Sequence, residues 1–221
     1  MNSSVCFDDV LLVPQFSDII SRKEIDLVSC IDNRYRFRLP IISSPMDTVT
    51  GTKMAHAMSD LGGLGIIHRY NTIADQVAMV NSVLDNDYLE GNEVVGVAVG
   101  ASGDYLERAS LLASAGAKVI CVDIAHGHHA LMRHALKTIR NTLGNSVHIM
   151  AGNVATLKAF NDLSDWGADS IRVGIGGGSI CSTRIQTGHG MPTLQSVIDC
   201  ARSDRDVALI ADGGIRTSGD I

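Results

Sequence analysis

Short runs of apolar residues recur along the chain, each bounded by glycine, proline or aspartate. The runs are continuous rather than alternating, and β-branched residues dominate them, which is typical of strands buried on both faces of a parallel sheet. Seven segments have this pattern: residues 39–43, 63–67, 94–99, 118–123, 147–151, 170–174 and 207–211. Consecutive segments begin 23 to 37 residues apart. This spacing predicts repeated strand–helix units.

Between the predicted strands, the apolar residues change to helical spacing. Residues 102–115 and 128–141 each place a stripe of apolar side chains on one helical face. The two stripes consist of Leu106, Ala109, Leu112 and Ala113, and of Leu131, Ala135 and Ile139. Gly116 and Gly167 each stand shortly before the next strand, where a left-handed residue is suited to end a helix.

The repeated pattern predicts an α/β protein, and two architectures fit it. We favour a TIM (β/α)8 barrel with about seven of its eight strands in this chain, and an open doubly wound sheet is the alternative. Polar, glycine-rich segments follow the carboxyl end of strand after strand, whereas a doubly wound fold would concentrate them at one switch point. We therefore expect residues 1–221 to form one barrel domain that is incomplete at its C-terminus.

Composition narrows the class of protein. The chain has 221 residues, of which 45% are hydrophobic, and a net charge of −6, which argues against nucleic acid or an anionic membrane as partner. No apolar run approaches the roughly 18 residues of a membrane helix, and two aspartates near the N-terminus do not suit a signal peptide. Five cysteines without a C-x-x-C pair fit a reducing compartment. We expect a cytoplasmic protein.

Residues 173–184, VGIGGGSICSTR, contain the most informative loop. Four glycines follow a predicted strand within five positions, and such a loop can direct backbone N–H groups towards an anion. The pattern is not the dinucleotide motif G-x-G-x-x-G, because Ser179 occupies its sixth position. Cys181, close to Arg184 and to the amide dipoles, would have a lowered pKa and act as a nucleophile. The alternative is a small buried cysteine in a glycine turn.

Three other strand ends carry polar residues. Asp212 is suited to hold a sugar diol, with the amides of Gly213 and Gly214 facing a phosphate, although a tight turn with a helix cap fits equally well. Residues 123–129, DIAHGHH, suggest either zinc or a ribose hydroxyl bound by Asp123, and solvated loop histidines are a third interpretation. Asn153 could bind an amide-bearing ring or cap a helix.

Taken together, these segments resemble the IMP dehydrogenase / GMP reductase family. The resemblance covers essentially the whole chain and rests on residues 7–14 (FDDVLLVP), 44–49 (SPMDTV), 62–68 (GGLGIIH), 123–128 (DIAHGH), 151–153 (AGN), 174–184 (GIGGGSICSTR) and 211–214 (ADGG). One departure lies in the cysteine loop, where Gly177 stands at a position that is often proline.

The resemblance implies a parallel barrel, usually a homotetramer, that uses a nicotinamide cofactor without a Rossmann domain. Cys181 would attack C2 of the purine and form a covalent adduct, and Thr183 would help to activate water or ammonia. The dehydrogenase oxidises IMP to XMP with NAD in guanine nucleotide synthesis. The reductase converts GMP to IMP with NADPH.

The resemblance also implies three groups of binding residues. Those for the nucleotide are Ser44, Met46, Ser179, Asp212 and Gly214, and the residue pattern adds Gly213. Those on the side of the cofactor and the purine ring are Asp123, Asn153 and Arg172. Those whose backbone carbonyls resemble a potassium-binding loop are Gly176, Gly178 and Cys181.

Two features bear on which reaction is catalysed. About two dozen residues separate Tyr70 from Val94, which leaves no room for the regulatory CBS pair and favours the reductase. Residues 44–50, 62–68 and 178–181 are closer to the dehydrogenase, which we predict. The alternatives are the reductase, a catalytically silent nucleotide-binding module, and a zinc-dependent hydrolase built on His126 and His128.

Overall fold

A computed structural model describes residues 4–85 and 94–221. Its strands are β1 (Ser29–Cys30), β2 (Arg36–Phe37), β3 (Ile42–Ser43), β4 (Leu64–Ile67), β5 (Gly96–Val99), β6 (Val119–Asp123), β7 (His148–Val154), β8 (Ser170–Val173) and β9 (Ala208–Ala211). Its α-helices are α1 (Thr52–Leu61), α2 (Ile73–Leu84), α3 (Tyr105–Ser114), α4 (Ala130–Leu143), α5 (Leu157–Asp165), α6 (Thr183–Thr187) and α7 (Thr193–Cys200).

Strands β3 to β9 form one parallel sheet in the order of the sequence. A doubly wound sheet would reverse its strand order at a switch point, so the sequential order confirms the barrel prediction. All seven predicted strands are present, with ends shifted by up to three residues. The sheet curls into a partial (β/α)8 barrel, in which helices connect successive strands.

Two hydrophobic clusters lie on the two faces of this sheet. In β6, Val119 and Cys121 belong to the smaller cluster inside the curled sheet, whereas Ile120 and Val122 belong to the larger cluster that packs against the helices. All four side chains are fully buried. Burial on both faces explains why these strands appear in the sequence as unbroken apolar runs.

The helices begin and end where local chemistry predicts. The side chain of Thr72 accepts a hydrogen bond from the Asp75 amide at the start of α2, and Thr156 does the same for Ala159 at the start of α5. Gly116 and Gly167 both have a φ of +108°, which confirms a positive φ after helices α3 and α5. Helix α3 confirms the first predicted stripe, and both helix boundaries are shifted by one to three residues. In α4, Ala135 and Ile139 are buried as predicted, but Leu131 is exposed, because Met132 and Leu136 take the core-facing positions of the helix.

A short hairpin of β1 and β2 lies against the amino end of the curled sheet. Its turn is held by Asp32, whose carboxylate lies 2.7 Å from Nδ1 of the buried His148 at the start of β7. Nε2 of His148 lies 2.7 Å from the hydroxyl of Ser170 in β8. Burial raises the pKa of Asp32, but hydrogen bonds from His148 and Arg34 outweigh it and lower the pKa to about 2. The sequence did not indicate this connection.

The two edge strands of the sheet, β3 and β9, do not pair with each other in the part of the chain that the structure describes. All four residues of β9 are partly exposed, whereas those of β4, β5 and β8 are buried. A cavity of about 1340 Å³ lies between the edges. Among residues 4–85 and 94–221, no helix is both long and apolar enough to cross a membrane.

Candidate active site

The predicted site residues gather at the carboxyl end of the curled sheet. Asp123 ends β6, Asn153 lies near the end of β7, Arg172 lies in β8, and Asp212 follows β9 directly. Neighbouring parallel strands deliver their carboxyl ends to one rim, which is where (β/α)8 barrels carry their active sites. Side chains from four strands can therefore meet there although they are far apart in the sequence.

Arg172 links two of these carboxylates. Its Nη1 lies 2.7 Å from Oδ1 of Asp123, and its Nη2 lies 2.7 Å from Oδ2 of Asp212. The side-chain amide of Asn153 donates hydrogen bonds to the same Asp212 oxygen, at 2.6 Å, and to the Gly174 carbonyl, at 2.8 Å. The predicted cofactor residues and the predicted ribose carboxylate thus form one continuous network.

Because this network is buried, the charge of Arg172 needs charged partners. Arg172 is only 8% exposed, and such burial alone would lower its pKa. The neighbouring Cys121, Asp212 and Asp123 raise the pKa by more, so the guanidinium stays charged. A buried cation between two carboxylates has a fixed geometry, because a displaced partner would leave an unpaired buried charge.

The cysteine inside the sheet differs from the cysteine on the loop. Cys121 is fully buried, with its Sγ 3.5 Å from Nη1 of Arg172, and burial raises its pKa to about 12. Cys121 is therefore a neutral thiol at physiological pH. Its side chain belongs to the interior of the sheet, and it has no role as a nucleophile.

Cys181 lies in the loop between β8 and α6 and is partly exposed. Hydrogen bonds from the hydroxyl and the backbone amide of Thr183 lower its pKa, and this effect outweighs the slight burial that raises it. The Gly176 backbone and the charge of Arg184 lower it further. Cys181 is therefore a partly exposed thiol with a lowered pKa, and it is not a cysteine buried in a turn.

The cysteine loop packs directly against the loop after β9, where Asp212 lies. A Cβ atom on Gly174 would overlap the backbone carbonyl of Asp212, and one on Gly213 would lie 3.0 Å from the Gly178 amide nitrogen. Gly213 also has a φ of +86°. Glycine is therefore required here for close approach of two backbones, a role that the sequence pattern alone did not distinguish from anion binding.

Among the remaining predicted nucleotide residues, Ser44 and Gly213 line the cavity, whereas Met46, Ser179 and Gly214 lie outside its lining. Ser44 follows β3, and its carbonyl accepts hydrogen bonds from the Thr50 hydroxyl, at 2.6 Å, and from the Met46 amide, at 2.8 Å. The buried Thr50 thus holds the turn that carries Ser44 and Met46. Ser44, Arg172, Asp212 and Gly213 line the cavity of about 1340 Å³. Ser179 and Gly214 lie on the cysteine loop and the Asp212 loop, with Ser179 exposed.

The histidines after β6 do not form a metal site in the described part of the chain. Nε2 of His128 lies 2.7 Å from Asp162 in α5, and its ring stacks on Trp166 with centroids 5.8 Å apart. His126 is exposed. Within residues 4–85 and 94–221, no group of three or more histidine, cysteine, aspartate or glutamate side chains could hold a metal ion. His128 instead fastens its loop to α5.

The backbone carbonyls predicted to bind potassium all belong to the cysteine loop. The carbonyl of Gly178 accepts a hydrogen bond of 3.1 Å from the Cys181 amide. A carbonyl oxygen has two lone pairs, so Gly178 keeps one for a cation. Backbone carbonyls are oxygen ligands that potassium accepts in proteins.

Two residues of the site had no clear signal in the sequence. Thr50 and Thr193 are both buried, and each packs beneath a loop that carries predicted binding residues. Thr193 follows Pro192 at the start of α7, a position where a threonine usually indicates only a helix start.

Curated relatives of both activities match the chain. The inosine-5'-monophosphate dehydrogenase of Nitrosopumilus maritimus is 32% identical, and the GMP reductase of Leishmania major is 30% identical. Each match covers 97% of this chain and 70% of the relative. The alignments extend over 337 and 346 residues, whereas this chain has 221, so both relatives carry a long segment that it lacks. The absence of a long insertion therefore does not favour the reductase.

Solved structures of a GMP reductase and of an inosine 5' monophosphate dehydrogenase share the fold of this chain. A GMP reductase structure from Trypanosoma brucei aligns with a TM-score of 0.93 at 27% identity and covers 100% of this chain and 78% of that one. The inosine 5' monophosphate dehydrogenase from Legionella pneumophila aligns with a TM-score of 0.89 at 43% identity, over 99% of this chain and 64% of that one.

The family model described as the IMP dehydrogenase / GMP reductase domain matches residues 4–221. This match covers the rim network, the cysteine loop and the loop after β9. The chain therefore belongs to the IMP dehydrogenase / GMP reductase family of purine nucleotide oxidoreductases.

Proposed function

We propose that this chain carries the nucleotide site and the nucleophile of an NAD-dependent IMP dehydrogenase, which oxidises IMP to XMP in guanine nucleotide synthesis. One observation carries the proposal. The thiol of Cys181, partly exposed and with a pKa that Thr183 lowers, lies on a loop whose glycines pack against the loop of Asp212. A nucleophile and a sugar-binding carboxylate are therefore held on two adjoining loops.

The nucleotide would lie across these loops. Asp212 would accept hydrogen bonds from the ribose diol, and its carboxylate is already oriented by Arg172 and Asn153. The amides of Gly213 and Gly214, together with Ser179, would bind the phosphate, as backbone nests do. Ser44 and Met46 would contact the base from the opposite side of the cavity.

In the first chemical step, the Cys181 thiolate adds to C2 of the purine, and the C2–H bond breaks with its electron pair. The nicotinamide, when bound, supplies a hydride acceptor, and Asp123, Asn153 and Arg172 would hold it. A water molecule oriented by Thr183 then adds to C2, the C–S bond breaks, and XMP leaves. The thiolate is regenerated, and one proton passes from the water to solvent.

A potassium ion would be held by the carbonyls of Gly176, Gly178 and Cys181. Such an ion would fix the backbone of the loop that aims the sulfur. The protein residues would supply the carbonyl ligands, and the ion would supply a positive charge to the cysteine loop.

The second candidate is a GMP reductase on the same residues, favoured by the reductase relatives from Leishmania and Trypanosoma. Cys181 would again add to C2, ammonia would leave, and a hydride from NADPH would replace it. We prefer the dehydrogenase because identity with the Legionella structure is 43%, against 27% with the Trypanosoma structure. The third candidate is a silent nucleotide-binding module.

We further propose that residues 1–221 form one catalytic domain of a homotetramer in the cytoplasm. All five cysteines are unpaired in the structure, which fits a reducing compartment. Gel filtration with light scattering would test the tetramer, and a monomer would contradict it.

The test of function follows the nicotinamide absorbance band in two mixtures. The purified protein receives either IMP with NAD and potassium chloride, or GMP with NADPH. We expect turnover in the first mixture. Turnover only in the second would replace the dehydrogenase by the reductase, and turnover in neither would favour the silent module.

A further inference from the structure

Thr193 occupies the junction between the two loops of the site. It is the first residue of α7 and is only 4% exposed. Its hydroxyl oxygen is buried and has no hydrogen-bond partner among the residues that the structure describes. A buried hydroxyl without a partner is unfavourable, because it has lost water and gained nothing in exchange.

The side chain of Thr193 contacts both loops. A Cβ atom on Gly177 would overlap its hydroxyl, and Cβ atoms on Gly174 and Gly214 would lie 3.5 and 3.6 Å from its methyl and its hydroxyl, respectively. Thr193 thus fills the volume that a side chain at position 177 would need. This explains why glycine stands there, although the family resemblance leads one to expect proline.

Backbone carbonyls of both loops lie near the volume that this hydroxyl borders. A Cβ atom on Gly177 would lie 3.7 Å from the carbonyl oxygen of Gly213, and one on Gly214 would lie 3.3 Å from that of Gly177. Both carbonyls belong to the loops, whereas Thr193 is fixed to a helix. Both carbonyls are candidate acceptors for the hydroxyl.

We propose that Thr193 is a positioning residue for Cys181. When a nucleotide binds, the loops close, and the Thr193 hydroxyl donates a hydrogen bond to a backbone carbonyl of the glycine turn. This bond holds the cysteine loop against the Asp212 loop and aligns the sulfur with the base. The inference rests on the proposed nucleotide site and adds a residue to it.

The experiment measures how well IMP protects Cys181 from alkylation by iodoacetamide, read by peptide mass spectrometry. Protection requires binding but no turnover. The variants are Thr193→Val, which keeps the shape and removes the hydroxyl, and Thr193→Ser, which restores it. Ser196→Ala is the matched control, because Ser196 lies on the same helix and also has a buried hydroxyl that lacks a partner in the described structure.

We expect Thr193→Val to raise the IMP concentration for half-protection by about five- to tenfold, the value of one hydrogen bond. Its melting temperature should equal or exceed that of the wild type, because a buried unpartnered group is removed. Thr193→Ser should restore protection, and Ser196→Ala should leave it unchanged. Wild-type protection in Thr193→Val, or a loss that serine does not restore, overturns the inference.

A failure of the proposed function gives a different result. If neither IMP nor GMP protects Cys181 in the wild type, the nucleotide site itself is wrong. If the wild type is protected and Thr193→Val is protected equally, only the role of Thr193 is wrong.

A steric test uses the same measurement. Gly177→Ala should weaken protection in the wild-type background, because the new methyl group would overlap the Thr193 hydroxyl. Thr193→Ala removes the hydroxyl and keeps the Cβ atom of residue 193, which would lie 3.4 Å from the new methyl group at position 177. In that background, Gly177→Ala should therefore have little further effect. Equal effects in both backgrounds would show that Thr193 does not determine the residue at position 177.

Discussion

The two ends of the curled sheet use similar side chains for opposite purposes. At the amino end, Asp32, His148 and Ser170 form a chain with two contacts of 2.7 Å, the arrangement of a hydrolase triad. His148 and Ser170 are fully buried, so no substrate can reach them. At the carboxyl end, Arg172 and Asp212 adjoin an open cavity. Access, more than residue type, separates a structural network from a functional one.

The ends also differ in how completely their polar groups are satisfied. At the amino end, Asp169 accepts hydrogen bonds from Arg140, at 2.6 Å, and from the Ile149 amide, at 2.7 Å. At the carboxyl end, the Thr193 hydroxyl has no partner among the described residues, and the cysteine loop is partly exposed. A satisfied end holds the barrel together, and an end with unused donors can respond to a ligand.

The largest expected effect is at the carboxyl end. Cys181→Ala should abolish turnover, because no other group can form the adduct, and should leave the melting temperature nearly unchanged, since the side chain is partly exposed. The exposed Cys6 offers the control Cys6→Ala, which should keep wild-type kinetics. Residual turnover in Cys181→Ala would exclude covalent catalysis by this residue.

Arg172 tests whether the functional end also contributes to stability. Arg172→Met would leave Asp123 and Asp212 without their shared partner, and we expect unfolding to become easier by about 3–5 kcal/mol. Denaturant unfolding would measure this loss, and nucleotide binding should weaken as well. The double variant with Asp123→Asn should regain part of the stability, because it removes one unpaired charge. A single variant as stable as the wild type would contradict the importance of the network.

A substitution of Asp32 tests the network at the amino end of the sheet. It should change the free energy of unfolding and leave the activity as it is. Asp32→Asn should cost about 1–2 kcal/mol at neutral pH, after allowance for partial solvent exposure, and should leave kcat/KM unchanged. The pKa of Asp32 is lowered to about 2 from 3.8, so its contribution is present above pH 4 and is lost as the pH falls towards 2. The stability difference between wild type and variant should therefore shrink on acidification. A constant difference would argue against the charged carboxylate of Asp32 as its cause.

The smallest expected effect concerns the pH dependence of alkylation. Hydrogen bonds from Thr183 lower the pKa of Cys181, so iodoacetamide should react with it at a lower pH than with an ordinary thiol. Thr183→Val should move the alkylation profile of Cys181 to higher pH, whereas Thr187→Val on the same helix should not. An unmoved profile in Thr183→Val would show that the hydroxyl does not stabilise the thiolate.

Most of the sheet was predictable because its signals are local. A strand that is buried on both faces needs an unbroken apolar run. Each of the seven strands of the sheet, β3 to β9, was predicted from such a run. Gly116 and Gly167 marked positive-φ positions for the same reason. The hairpin of β1 and β2 escaped prediction, because strands of two residues are too short to show a period.

The sequence predicted which residues belong to the candidate site, but it did not predict which of them contact each other. Cys181, Asp123 and Asp212 follow predicted strands, and parallel topology brings such positions to one rim. The bridge from Arg172 to Asp212 joins residues 40 positions apart, and the bond from His148 to Asp32 joins residues 116 apart. No local pattern encodes either pair.

The sequence by itself determined the seven strands of the sheet, their parallel order and the loop that carries Cys181, because hydrophobic periodicity and glycine conformation act over a few residues. Only the tertiary structure decided which polar groups are paired and which are accessible. It separated the buried Asp32–His148–Ser170 chain from the open rim, and it placed Thr193 beneath Gly177. Pairing and access depend on how the sheet curls and how closely its loops pack, and both arise from contacts between distant segments.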